Sequence, residues 1–128
     1  MATSRFSVLV DDAKLRVRET SVDEVRQRLA RGDALQLIDV REDSEWNQAH
    51  VRGAIHLGKG VIERDIEKRI PDTGAELVLY CGGGSRSALA ADALNKMGYT
   101  NVWSLVGGFR ACREAGLAIE SESSSNPS

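Results

Sequence analysis

The sequence predicts an α/β fold in which a mainly parallel central sheet is covered by helices on both faces. Three observations carry that prediction. Apolar runs at residues 35–40 and 77–81 read as strands buried on both sides, helical periodicities follow them, and strand and helix signals alternate as parallel strands with helical crossovers require. A chain of 128 residues suits one domain, long enough to bury a core without disulfides or metals.

Each element has its own signal. A short helix is expected over residues 7–15, and Ser21-Val22-Asp23-Glu24 matches a capping box that opens a second helix. Val22, Val25 and Leu29 lie on one face of it, and Gly32 is the stop. Leu35-Gln36-Leu37-Ile38-Asp39-Val40 is a buried strand whose last residues turn charged. Residues 43–49 fit a short helical turn, and Ala54-Ile55-His56-Leu57 a brief strand. Val61, Ile62, Ile66 and Ile70 space as a helix face, closed by the turn Pro71-Asp72-Thr73-Gly74. After the strand at 77–81, a helix over 85–97 carries the stripe Leu89, Ala90, Ala93, Leu94 and Met97, ended by Gly98. Residues 101–105 form another strand, and Gly107-Gly108 leads into a last helix over 109–115. The expected organisation is an N-terminal helical extension at 1–20, one domain at 21–119 and a serine-rich disordered tail at 120–128. The chain has no internal repeat.

Composition narrows the classes of function. Formal net charge is −2, and no run of basic residues suggests a nucleic-acid partner. The segment Met1-Ala2-Thr3-Ser4-Arg5-Phe6 lacks the apolar core of a signal peptide, and no stretch approaches a membrane span. A cytoplasmic protein is the expectation, in which two cysteines serve as thiols rather than as a disulfide. No cofactor is implied. His50 and His56 lack ligand spacing with either cysteine, so no metal site is expected. His50 is read as a hydrogen-bond partner of its own turn, and Trp46 and Trp103 as packing residues.

The segment Leu77-Val78-Leu79-Tyr80-Cys81-Gly82-Gly83-Gly84-Ser85-Arg86 carries the chemistry. A buried strand delivers Cys81 to the carboxyl edge of a sheet, where ligands bind in such folds. The glycines let successive amides turn inward, and the helix beginning near Ser85 adds its positive end. A free thiol titrates at about 8.5 and is lowered by such surroundings, so Cys81 is the candidate nucleophile. Three consecutive glycines have no packing value and cost backbone entropy, which a buried inert cysteine would not require. The amides of Gly82, Gly83, Gly84, Ser85 and Arg86 are the candidate anion cradle. Arg86 puts a cation in a first helical turn, against the helix dipole, and this local conflict favours anion binding. Asp39 and Arg41, at the end of another strand, serve either as a structural ion pair or in contact with substrate.

Four separated features occur in order: Asp39-Val40-Arg41; His50 with Gly53-Ala54-Ile55-His56-Leu57; Cys81-x-x-Gly84-x-Arg86-Ser87; and Gly107-Gly108-Phe109. Together they resemble a single-domain rhodanese, a sulfurtransferase module, over most of residues 35–116. The resemblance implies the rhodanese-like three-layer α/β sandwich and a persulfide intermediate on Cys81. It also implies a small anionic sulfur donor such as thiosulfate, and cyanide or a thiol as acceptor, with thioredoxin-like or sulfur-carrier proteins among the partners. Two departures stand out. Ala49-His50-Val51-Arg52-Gly53-Ala54 replaces the family's Gly-His-Ile-Pro-Gly-Ala, and Cys112 stands where the last helix commonly has tryptophan. Cys112 is read as a packing residue, since Phe109, Cys112 and Gly116 share one side of that helix.

Two other functions compete. Protein tyrosine phosphatases, and the related cell-cycle phosphatases on a rhodanese-like fold, place five residues between cysteine and arginine. Here only Gly82 through Ser85 intervene. The shorter loop suits a single sulfur atom better than a phosphate, and the same argument weighs against an arsenate reductase. A non-catalytic carrier or regulatory module is the other alternative, although such members typically lose the cysteine.

Overall fold

Leu77-Val78-Leu79-Tyr80 is buried throughout because it is the middle strand of a five-stranded parallel sheet. The computed structural model describes residues 4–121. In chain order the elements are α1 (Arg5–Lys14), β1 (Arg18–Thr20), α2 (Val22–Ala30), β2 (Gln36–Asp39), α3 (Asp43–Gln48), β3 (His50–Val51) and β4 (Ile55–His56). They continue with α4 (Ile62–Arg69), β5 (Leu77–Tyr80), α5 (Ser85–Lys96), β6 (Val102–Leu105), α6 (Gly108–Glu114) and β7 (Ile119–Glu120). The main sheet runs β1-β6-β5-β2-β4, and β3 pairs with β7 in a separate antiparallel ribbon. The expected sandwich is thereby observed.

Alternation along the strands sends side chains into two cores. Ile38, Leu77, Leu79 and Val102 face α4 and α5, where Ile62, Ile66, Ala90, Ala91 and Leu94 meet them. Leu37, Val78, Tyr80 and Leu105 face the other way, toward Val25 of α2 and Phe109 and Cys112 of α6. Cys81 and Cys112 therefore belong to cores on opposite faces of the sheet.

The chain departs from the expected elements where tertiary partners decide. The first helix begins at Arg5 rather than residue 7, because the Ser4 hydroxyl accepts from the Ser7 amide at 3.0 Å and caps it. Its Val10 and Ala13 are buried, and the Arg16 guanidinium that follows reaches Asp92 of α5 at 3.0 and 2.9 Å. With α1 on its back and the sheet in front, α5 buries Ala88 and Ala91 as well as Ala90 and Leu94. Met97, expected in the stripe, is 37% exposed. Val61 likewise leaves the expected face of α4, since it sits at the helix start with 37% of its surface exposed.

Three short strands have no apolar run to announce them. Arg18-Glu19-Thr20 joins the sheet edge beside β6, so residues 1–20 contribute a strand as well as α1. Glu120, assigned to a disordered tail, instead lies in β7 opposite His50, where the β3 backbone supplies its partner. The rest of the expected tail, from residue 122 on, lies outside the described residues. Among the described residues no helix is long and apolar enough to cross a membrane.

Candidate active site

Cys81 is the residue immediately after β5, 1% exposed, and the chain turns sharply around its sulfur. The Gly84 amide donates to Sγ at 3.1 Å and the Ser87 amide at 3.3 Å. Gly84, with φ at 109°, is the N-cap of α5. A Cβ there would lie 3.4 Å from the Gly107 amide nitrogen, so both conformation and space select glycine.

The second turn, Gly107-Gly108-Phe109, holds the start of the loop. The Phe109 amide donates to the Cys81 carbonyl at 2.6 Å and the Arg110 amide to the Gly82 carbonyl at 3.4 Å. The N-terminus of α6 thus takes the loop's carbonyls. Those two peptide units carry the Gly82 and Gly83 amides, and of the two it is Gly83 that helps lower the Cys81 thiol.

Burial of Cys81 by itself raises the thiol pKa. The Ser87 hydroxyl and the amides of Ser87, Gly84 and Gly83 outweigh that effect, and the net shift is downward from the ordinary thiol value. Ser87 Oγ sits 3.6 Å from Sγ, 3.3 Å from the Gly84 carbonyl and 2.8 Å from Ser104 Oγ of β6. Ser87 and Ser104 are both fully buried. Ser87 was visible in the sequence as the last residue of the cysteine motif, but its amide and hydroxyl emerge as sulfur partners only in three dimensions. Gly82, Ser85 and Arg86 make no hydrogen bond to Sγ.

Arg86 lies on the loop, its Nη2 3.1 Å from where a Cβ on Gly82 would stand. Its guanidinium is held by Glu45 of α3, with Nη1 donating to Oε1 at 2.7 Å and Nη2 to Oε2 at 3.1 Å. That pairing holds the Glu45 carboxyl at about 2, well below the usual range. Nothing in the sequence around Glu45 pointed to this partnership.

Asp39 and Arg41 come together as a buried clamp. Arg41 Nε donates to both Asp39 oxygens at 3.1 Å, Nη2 to Oδ2 at 2.8 Å and to the Ala49 carbonyl at 2.6 Å. The guanidinium also lies 4.2 Å over the Phe109 ring. One side chain therefore ties the end of β2 to the end of α3 and to α6.

Trp46 stacks with two imidazoles, His50 at 3.5 Å and His56 at 5.0 Å between ring centroids. His50 Nδ1 bonds the Trp46 carbonyl at 3.0 Å, the turn-bonding role expected of it, and His56 Nε2 bonds the Arg41 carbonyl at 2.8 Å. These contacts fix α3, and with it Glu45. Cys112, on the opposite core, is fully buried, and burial pushes its thiol up to about 11.

A lowered thiol in a glycine loop, at the carboxyl end of the central strand of a parallel sheet, makes Cys81 the candidate nucleophile of an α/β protein. Residues 21–115 match the Rhodanese-like domain, and the chain belongs to that family. It is 32% identical over 98 residues to the thiosulfate sulfurtransferase GlpE of Shewanella oneidensis, covering 77% of this chain and 94% of that one. It is 37% identical over 65 residues to the thiosulfate sulfurtransferase PspE of Escherichia coli, covering 51% and 62% respectively. Two further curated relatives are longer, and the chain spans 50% of the length of one and 27% of the other. Among solved structures, a Pseudomonas aeruginosa thiosulfate sulfurtransferase superposes with a TM-score of 0.76 at 29% identity, over 83% of this chain and 20% of that one. A Rhodopseudomonas palustris protein of unknown function, described as a possible tyrosine phosphatase, superposes at 0.80 with 27% identity, over 94% and 97%.

Proposed function

We propose that the protein is a sulfurtransferase that moves a sulfane sulfur from thiosulfate or another donor to cyanide or a thiol. The observation that carries this reading is the convergence of the Gly84 and Ser87 amides on Cys81 Sγ within a loop having only four residues between Cys81 and Arg86. Such a loop stabilises a sulfur anion at its centre. With thiosulfate, the Cys81 thiolate attacks the outer sulfur, a new S–S bond forms, and sulfite leaves with the electron pair of the broken bond. The product is Cys81–S–S⁻. Cyanide or a thiolate then attacks the terminal sulfur and returns Cys81 as thiolate, a two-step covalent cycle with ping-pong kinetics.

The cellular acceptor in this reading is a thiol, such as that of a thioredoxin-like or sulfur-carrier protein. Two cysteines present as free thiols support a reducing compartment such as the cytoplasm for this reaction. Intact mass after incubation with thiosulfate tests the proposal: one sulfur atom is added, removed by cyanide or dithiothreitol, and absent from Cys81→Ser. Aryl-phosphate hydrolysis with no sulfur adduct from any donor would instead establish a phosphatase. A stable adduct that no acceptor discharges would establish a carrier module.

A further inference from the structure

Arg86 is the only cation within the nucleophile loop, since positions 82–85 are three glycines and a serine. A sulfonate-type donor would use the guanidinium's planar fork, which matches paired oxygens through two parallel bonds. Glu45 already fills that fork, with one oxygen on each terminal nitrogen at 2.7 and 3.1 Å. The carboxylate is not a loose surface group. Its Oε1 also accepts from the Glu42 amide at 3.0 Å, so the side chain is folded back on the first turn of α3. That helix is anchored at its other end by the Arg41 bond to the Ala49 carbonyl at 2.6 Å and by the Trp46 stack on His50 and His56. The guanidinium charge is thus compensated at the site of chemistry, and Glu42 adds a further negative charge within its field.

This bears differently on the two donor classes that the sulfurtransferase reading admits. Thiosulfate brings two negative charges, shared between its outer sulfur and three oxygens whose spacing matches a guanidinium fork. A persulfide group, –S–SH or –S–S⁻, brings at most one charge and carries it on the sulfur being transferred, which has no paired oxygens for a guanidinium fork to hold; the amides of Gly84 and Ser87 point at the Cys81 sulfur that attacks it.

We propose that Glu45 is a specificity-determining residue: by occupying both terminal nitrogens of Arg86, it withholds the anion fork from sulfonate-type donors and directs the site toward persulfides. The proposal rests on the sulfurtransferase reading. In the favoured reaction the Cys81 thiolate attacks the outer sulfur of R–S–SH, the new S–S bond forms, and R–S⁻ leaves with the electron pair of the broken bond. The proton on the transferred sulfur passes to R–S⁻, giving R–SH and Cys81–S–S⁻.

The experiment compares kcat/KM for thiosulfate and for glutathione persulfide, with cyanide as the common acceptor, in the wild type, Glu45→Gln and Glu45→Ala. Gln keeps an oxygen for the Glu42 amide but loses the charge; Ala removes both. The ratio of thiosulfate to persulfide efficiency should rise about fivefold or more in both variants, as expected for freeing a partly exposed bidentate pair. The gain should fall on KM for thiosulfate and shrink with added salt. An unchanged ratio would overturn the proposal and move sulfonate binding elsewhere, for example to Arg110 in the first turn of α6. A parallel loss with both donors would overturn it too, leaving Glu45 as a positioning residue for Arg86. Intact mass separates the two levels of failure: if neither donor adds sulfur to wild-type Cys81, the sulfurtransferase reading itself falls.

Discussion

Gly108 and Cys81 share a backbone contact that no other residue at position 108 could keep. A Cβ on Gly108 would fall well inside van der Waals distance of the Cys81 carbonyl oxygen, and Gly108 holds φ at 56°. The contact lets the N-terminus of α6 take the Cys81 and Gly82 carbonyls, and so it fixes the start of the loop that bends round the sulfur.

Gly108→Ala should therefore lower persulfide formation at Cys81 by roughly tenfold or more, because displaced amides no longer converge on the sulfur. The backbone strain should cost about 1–3 kcal/mol of stability. Thermal unfolding and the rate of Cys81 alkylation against pH check both parts. An unaltered alkylation profile would show that α6 has no part in setting the loop.

Ser87 has one hydroxyl proton and three neighbours, Sγ, the Gly84 carbonyl and Ser104 Oγ. When Cys81 ionises, that proton is best used on the sulfur, with Ser104 donating into the Ser87 oxygen. Ser87→Ala removes a donor that lowers the thiol. The alkylation inflection should then move to higher pH, with the rate at pH 7 falling about threefold to tenfold and converging with wild type in alkali. Ser104→Ala should shift the profile in the same direction by less.

Arg41 offers a test of structural against substrate-binding roles. Arg41→Ala leaves the Asp39 carboxylate buried without its partner, and breaking such a pair costs about 3–5 kcal/mol. The melting temperature should fall sharply, while KM for the donor in the protein that remains folded stays near wild type. A variant of normal stability with a raised KM would assign Arg41 to substrate instead.

The readable parts of the chain were those with local signals. An apolar run into three glycines exposed Cys81, and capping at Ser21 exposed α2, because both are written in consecutive residues. Contacts between distant segments were not legible. Arg86 reads as a free cation until α3 brings Glu45 to it across 41 positions. Arg18-Glu19-Thr20 and the β3–β7 ribbon become strands only through backbone partners elsewhere in the chain. Ser104 lies within the strand expected at 101–105, and only the fold sets it against Ser87. The apolar stripe of α5 differs from its pattern because the pattern assumes one buried face, whereas the α1 segment, tied to Asp92 through Arg16, supplies a second.

Cys112 can be separated from Cys81 by the sign of its response to pH. Its thiol is pushed from 9.0 to about 11 by burial, so the folded protein keeps a proton that the unfolded chain releases. The contribution is fully present below pH 9 and is lost as pH rises through 11, by about 2–3 kcal/mol for a shift of that size. Cys81 has the opposite sign. Its lowered thiol makes folding more favourable as pH rises from its folded value toward 9.0. Cys112→Ala should accordingly cost a modest amount of packing at neutral pH and remove part of the alkaline destabilisation between pH 9 and 11, read as the difference between the two unfolding curves. Sulfur loading and transfer should remain nearly intact, since the two cysteines lie in cores on opposite faces of the sheet. A Cys81–Cys112 disulfide forming readily after sulfur loading, together with slowed turnover in Cys112→Ala, would show that the second thiol resolves the persulfide.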